Sequence, residues 1–188
     1  MKKLIQICML GILMLSIMQF RTAAQEHKET KKAPPKTSAM HHTSQGAMPY
    51  EATYSSKFVM GDPKFARMIM DLWKDWDNNT LNKNAHLFAD TVTMYFSDGT
   101  MAKGKDSVMA GAQQYRDKMA EVKSTVHAWM STHSTDKNEN WVTIWGTEED
   151  TWKDGKKTTT AFNEVWRFNK AGKVDLMRQF EAKAPPMK

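Results

Sequence analysis

The sequence predicts an α+β fold, with helices packed on one face of a curved, mainly antiparallel sheet. Two observations predict it. From Asp62 to about Met119 the apolar residues recur three and four apart, the spacing of a helical face. After residue 122 the period falls to two, and the two-periodic runs are separated by turn dipeptides such as Asp154-Gly155. Helices first and strands afterwards put the two kinds of element in separate layers.

The first helix begins at Asp62-Pro63. An Asp side chain can accept from the first free N–H groups, and proline's missing N–H costs nothing at the first helical position. Phe65, Ile69, Leu72 and Trp76 then share one face, and Asn78-Asn79-Thr80 ends the helix. A shorter helix carries Leu81, Ala85 and Phe88. Residues Thr91–Phe96 form a short β-rich run, closed by the Asp98-Gly99 turn. A third helix runs from about Asp106 to Met119, with Val108, Ala112, Tyr115 and Met119 inward. Four strands follow, at residues 122–134, 140–152, 158–168 and 174–182. They are joined through Asp136–Glu139, Asp154-Gly155 and a loop containing Gly172, which makes an antiparallel meander.

Ahead of this domain lie two segments of different character. Residues 1–24 pair Lys2 and Lys3 with an apolar run from about Leu4 to Met18, then Thr22-Ala23-Ala24; this is the layout of a signal peptide cleaved before Gln25. The chain is therefore expected to be exported, to the periplasm or beyond, with no membrane attachment after cleavage. The single cysteine, Cys8, leaves with that segment, so the mature protein uses neither disulfides nor thiolate chemistry. Residues 25–53 are rich in Lys, Glu, Ser, Thr and Pro, too polar to offset the cost of ordering, and read as a disordered linker. His41, His42 and His27 within it lack the fixed spacing of a metal site. The domain then spans residues 54–188.

Charge excludes one class of partner. Lys2, Lys3 and Arg21 supply half of the net charge of +6, and the basic and acidic residues that remain are interspersed. No Lys/Arg stripe or nucleic-acid motif emerges, so no nucleic-acid partner is expected. There is also no nucleophile elbow, phosphate loop or metal-ligand pair. His127 and His133 stand six residues apart, about 20 Å at strand rise, too far to share a metal. No metal and no cofactor are expected.

All seven tryptophans fall in the domain, where large aromatics fill a core or wall an apolar pocket. On the strand 158–168, Phe162, Glu164, Trp166 and Phe168 alternate onto one face, which sets a carboxylate among three rings. A buried charge must be paired, protonated or wet. Arg178 and Gln179 on the next strand are the candidate partners. Desolvation alone would raise the pKa of Glu164 and leave it a neutral donor or proton shuttle. Glu148-Glu149-Asp150 reads as a solvated strand end.

The order of elements resembles the nuclear transport factor 2-like superfamily, in its SnoaL-like, ketosteroid-isomerase-type branch. The resemblance is carried by "LFADTVTMYFSDG" at 87–99, "AKGKDSV" at 102–108 and "NEVWRFNKAGKVDLMRQFE" at 163–181. It implies a cone-like barrel with a pocket between the sheet and the first helix, often in homodimers, and chemistry such as isomerisation, polyketide cyclisation or dehydration. Of the isomerases' three polar groups, the general-base Asp falls at Phe96, with Asp98 two residues on. The oxyanion-binding Tyr falls near Leu72, beside Trp73 and Trp76, and the protonated acid falls on Glu164. Glu164 and Asp98 are thus the catalytic candidates. Trp73, Trp76, Phe96, His127, Trp141, Trp145, Phe162, Trp166, Met177 and Gln179 are the candidate pocket lining. Three readings stay open: a domain binding a small apolar or amphipathic molecule, an acid–base enzyme, and a dimerisation module with a filled core. A homodimer is what the resemblance implies for its assembly.

Overall fold

A computed structural model describes residues 48–184. The expected signal peptide and most of the expected linker, to residue 47, lie outside the described residues, as do residues 185–188. Residues 48–53 are exposed and carry no helix or strand.

In chain order the elements are β1 (Phe58–Met60), α1 (Pro63–Asp77), a 3-10 helix (Leu81–Leu87), β2 (Phe88–Tyr95), β3 (Met101–Lys103), α2 (Lys105–Arg116), β4 (Met119–Ser134), β5 (Glu139–Trp152), β6 (Lys157–Phe168) and β7 (Val174–Lys183). The seven strands form one sheet in the order β1-β4-β5-β6-β7-β2-β3. β4 to β7 make the antiparallel meander that the sequence predicts. β2 lies parallel to β7, with Met94 opposite Met177, and closes the curved sheet around the helices.

α1 begins as its sequence dictates: the Asp62 carboxylate accepts from Lys64 N at 2.9 Å. Its buried face is Phe65, Ala66, Ile69 and Leu72. These residues meet Val142 and Ile144 of β5, Trp166 and Phe168 of β6, Val174 and Met177 of β7, and Phe88, Val92 and Met94 of β2. Every second residue of β5 and β6 therefore points inward, and the residues between them form the outer face.

Four expectations change. The second helix is a 3-10 turn with a kink at Asn84, and Phe88 opens β2. α2 stops at Arg116, and Met119 starts β4. Tyr115 is half exposed, while Arg116 is 4% exposed. The guanidinium donates to three backbone carbonyls, those of Trp76, Asp77 and Met119, so it satisfies the open C-terminal end of α1. β1 and β3 were not anticipated; each is three residues long and is defined by its partner strand.

β4 is irregular in register and only partly covered along its free edge. A bulge between Val126 and Ala128 shifts its register against β5. On its other edge β1 covers only Thr132 to Ser134. Beyond that, Gly61 N donates to the Ser131 carbonyl, and the Asp77 carboxylate accepts from Ser124 N at 3.0 Å.

Candidate functional site

β6 delivers Glu164 to the inner face, where it is 7% exposed. Three groups donate to it: Trp73 Nε1 at 2.7 Å and Trp166 Nε1 at 3.1 Å, both to Oε2, and Gln179 Nε2 at 3.1 Å to Oε1. All three donors are uncharged. Burial pushes the Glu164 carboxyl above its ordinary range; the Trp73, Gln179 and Trp166 donors oppose that shift without cancelling it.

Of the two partners that sequence offered, Gln179 is in place and Arg178 is not. Arg178 stands opposite Val165 and stacks its guanidinium over Tyr95, 4.7 Å from the ring centroid, on the outer face. Strand parity separates neighbours in this way. Trp73 reaches Glu164 because β5 has a glycine beneath it. A Cβ at Gly146 would stand 2.7 Å from Trp73 Cζ3 and 2.5 Å from the Thr125 carbonyl oxygen.

Two more carboxylates share this face. Glu148 and Asp150 follow Val142, Ile144 and Gly146 in parity, so they point inward rather than forming a solvated strand end. Asp150 is 6% exposed and accepts from the Thr158 hydroxyl at 3.1 Å. Burial and the adjacent Asp150 charge push the Glu148 carboxyl up to about 9. Burial raises Asp150 too, against the opposing effects of Glu148, Thr158 and Arg116. The Trp76 indole N–H, close enough to Glu148 to favour its anion, makes no well-formed hydrogen bond. Trp76 stacks on Tyr115 at 6.3 Å, and Tyr115 meets Trp152 edge-on at 5.8 Å.

The remaining candidates divide by face. Trp166 and Met177 are buried inward, Phe162 is half buried opposite Gly146, and Phe96 packs on the core from the end of β2. Trp141, Trp145 and His127 are not pocket residues. Trp141 lies on the outer face, edge-on to Tyr54 and under the Arg167 guanidinium, and Trp145 pairs with Asn163 on that same face. His127 sits at the β4 bulge, exposed, 3.4 Å from the Thr147 hydroxyl. The bulge also parts it from Trp129, which stands opposite inward-facing Ile144. Asp98 is exposed and accepts from the Thr100 N–H at 2.8 Å and from its hydroxyl at 2.6 Å; these bonds hold its pKa below the usual value. It is a turn residue of the β2–β3 hairpin, and the structure does not join it to Glu164.

Two open concavities mark the surface. One, of about 480 Å³, lies at the β4–β5 and β6–β7 turns and includes Lys64, Asn140 and Lys170. The other, of about 560 Å³, is lined by Lys157–Thr160 and Glu181–Lys183. Glu164 lines neither. Among the described residues no three His, Cys, Asp or Glu side chains converge to hold a metal.

The profile of the SnoaL-like domain matches residues 69–177, a span that contains Trp73, Gly146, Glu148, Asp150 and Glu164. No curated protein matches the sequence. Solved structures do. An NTF2-like protein of unknown function from Exiguobacterium sp. 255-15 shares 16% identity over 64% of this chain and 99% of its own, at a TM-score of 0.51. A candidate SnoaL-like polyketide cyclase from Shewanella denitrificans OS-217 shares 11% identity over 64% and 92%, at 0.54. An NTF2-like protein of unknown function from Burkholderia pseudomallei K96243 shares 18% over 63% and 91%, at 0.53. At these identities the likeness is one of fold.

Proposed function

Since the chain belongs to the SnoaL-like domain family, we propose that it binds a small amphipathic molecule within the cone, with Glu164 as the polar anchor. One observation carries this reading: a buried carboxylate that has only uncharged donors, set among tryptophans. A carboxylate kept for structure alone is usually paired with a base, and Glu164 has none among the described residues. Binding is preferred over isomerase-type catalysis because two of the three isomerase groups are absent here. Asp98 serves a turn, and the Trp73 N–H near the place of the oxyanion-binding Tyr is already bound to Glu164.

Export and assembly belong to the same proposal. Export is supported by the basic start, apolar run and Ala23-Ala24 of the sequence. A homodimer is supported by Met130 and Phe180, which are exposed on the outer sheet face. N-terminal sequencing of the exported protein should start within a few residues of Gln25.

The ligand is tested by native mass spectrometry of protein purified from its own host. The expected result is a retained small molecule that Glu164→Gln loses while staying folded. Apoprotein from both wild type and variant, together with no binding of any apolar probe, would overturn the reading.

A further inference from the structure

Three elements meet at one end of the sheet. β5 is antiparallel to β6, so the β4–β5 and β6–β7 turns lie side by side there, with Asn140 opposite Phe168. α1 starts at the same end: Phe65 in its first turn packs on Phe168, with ring centroids 4.6 Å apart. Between them lies the concavity of about 480 Å³, a volume within the range of small-molecule sites. Both turns are fixed by left-handed residues, Asn138 at φ 54° and Gly172 at φ 72°. The second is also braced by Asn169, whose Oδ1 accepts from Ala171 N at 2.9 Å and from Lys173 N at 3.1 Å.

The side chains here offer a ligand mostly donors. The Asn169 oxygen is taken up by its own turn. The Asn140 oxygen stands 3.0 Å from His133 Nδ1 and accepts from the Nδ1–H tautomer. Each of these half-buried asparagines therefore keeps an NH2 group with no partner among the described residues. Asn138, exposed, keeps both ends of its amide open. Lys64 and Lys170 add two exposed ammonium groups, and no Asp or Glu belongs to the lining. The carboxylates nearest in sequence are engaged: Glu139 accepts from the Tyr54 hydroxyl, and Asp136 from the hydroxyls of Ser55 and Ser134. Asp62 meets Lys64 Nζ at 3.1 Å, but that pair is exposed and holds Lys64 only weakly. Buried Phe65 and half-buried Met68 supply an apolar floor.

We infer that this concavity binds a small organic anion, a carboxylate carried on an apolar body. The site lies apart from Glu164, and it stands whether or not the cone holds a ligand. An ionised carboxylate only accepts hydrogen bonds, so it complements amide and ammonium donors, and its bonds to lysine are charge-assisted. The apolar body lies on Phe65 and Met68 and takes their surface out of water. An organic cation is the wrong occupant, because it would meet two ammonium groups and no carboxylate in the lining. A neutral molecule would leave both ammonium groups unmatched.

The test is an NMR titration of the isotope-labelled protein with phenylacetate, its neutral isostere phenylacetamide, and acetate. Phenylacetate should shift the side-chain NH2 resonances of Asn140 and Asn169 along a saturating curve. It should bind roughly fivefold or more tighter than phenylacetamide, and more tightly than acetate, which has no apolar body. Added sodium chloride should weaken phenylacetate and leave phenylacetamide unchanged. Lys170→Glu, at an exposed turn position, should remove most of the advantage of acid over amide, with the rest of the spectrum confirming the fold. Glu164→Gln should alter none of these results. Acid and amide binding alike, acetate binding as tightly as phenylacetate, shifts that never saturate, or saturating shifts elsewhere on the protein would each overturn the inference. The three probes on the wild type decide this even where a variant misfolds.

Discussion

Gly146→Ala is the smallest change that should dismantle the site. The added Cβ meets the Thr125 carbonyl oxygen at 2.5 Å and two carbons of the Trp73 ring at 2.7 and 2.9 Å, all closer than real Cβ contacts come. The carbonyl belongs to the β4–β5 ladder and yields little, so the indole must swing away from the strand. Overpacking of this kind costs about 1–3 kcal/mol. Moving the ring also breaks the 2.7 Å bond from Trp73 Nε1 to Glu164, and a buried carboxylate that loses a donor costs roughly another 1–3 kcal/mol. The expected loss is therefore on the order of 2–6 kcal/mol by urea unfolding. In the NMR spectrum the Trp73 indole proton should leave its hydrogen-bonded position, and the Glu164 pKa should rise further, because a bond that lowers it has gone. Trp73→Phe separates the two parts: it removes the N–H without any crowding at Gly146, and should cost the second together with roughly 1–2 kcal/mol for the space the smaller ring leaves. A Gly146→Ala protein within about 0.5 kcal/mol of wild type, with the Trp73 resonance unmoved, would refute the account of the glycine as the seat of the indole.

Glu148→Gln should stabilise the domain at neutral pH. A carboxyl raised in the folded state adds stability below its unfolded pKa, and that stability is lost as pH rises through the folded one. The window here runs from about 4.5 to about 9. At pH 7 the buried group opposes folding by up to roughly 3 kcal/mol. Urea midpoints between pH 5 and 9 should fall with pH in the wild type and flatten in the variant; parallel profiles would count against the burial of Glu148. Glu164→Gln should stay within about 1 kcal/mol of wild type, because the amide oxygen can take the two indole donors and Gln179 can turn to accept; a loss of 3 kcal/mol would reveal a charged partner that the geometry lacks. Arg116→Met should cost about 2–4 kcal/mol, since two carbonyls at the end of α1 and one at the start of β4 lose their donor. A thermal melt unchanged from wild type would show that water replaces it.

How much of this was legible in the sequence depends on whether a residue's role is local. Asp62-Pro63 starts a helix wherever it is placed, and the hairpin dipeptides bounded the four long strands to within a few residues. Glu164 was found because parity along β6 is a property of that strand alone. The role of Arg116 is not legible because two of its three partners belong to the far end of α1, which only the tertiary fold brings near. Trp141 and Trp145 share parity with each other, which in the sequence alone is compatible with a pocket wall. Deciding which parity faces the helices requires the register against β6, and Ile144 opposite Glu164 supplies it. The β4 bulge hid His127 in the same way. Glu148 and Asp150 carried a usable signal, since both keep the parity of Ile144, but three acids in a row read more naturally as surface.

The unequal lengths of β1 and β4 bear on how this chain behaves in company. β4 is sixteen residues long, yet β1 pairs with only its last three. The rest of that border is a row of backbone groups on which a neighbouring molecule could add a strand, and Val126, Trp129 and Met130 are exposed along it. The fold blunts it by small means: the bulge at Val126–Ala128 bends the line, Gly61 takes the Ser131 carbonyl, and the Asp77 carboxylate occupies the Ser124 N–H. Asp77 thus guards this stretch of edge directly, because it fills the hydrogen-bonding slot at Ser124 that an incoming strand would need.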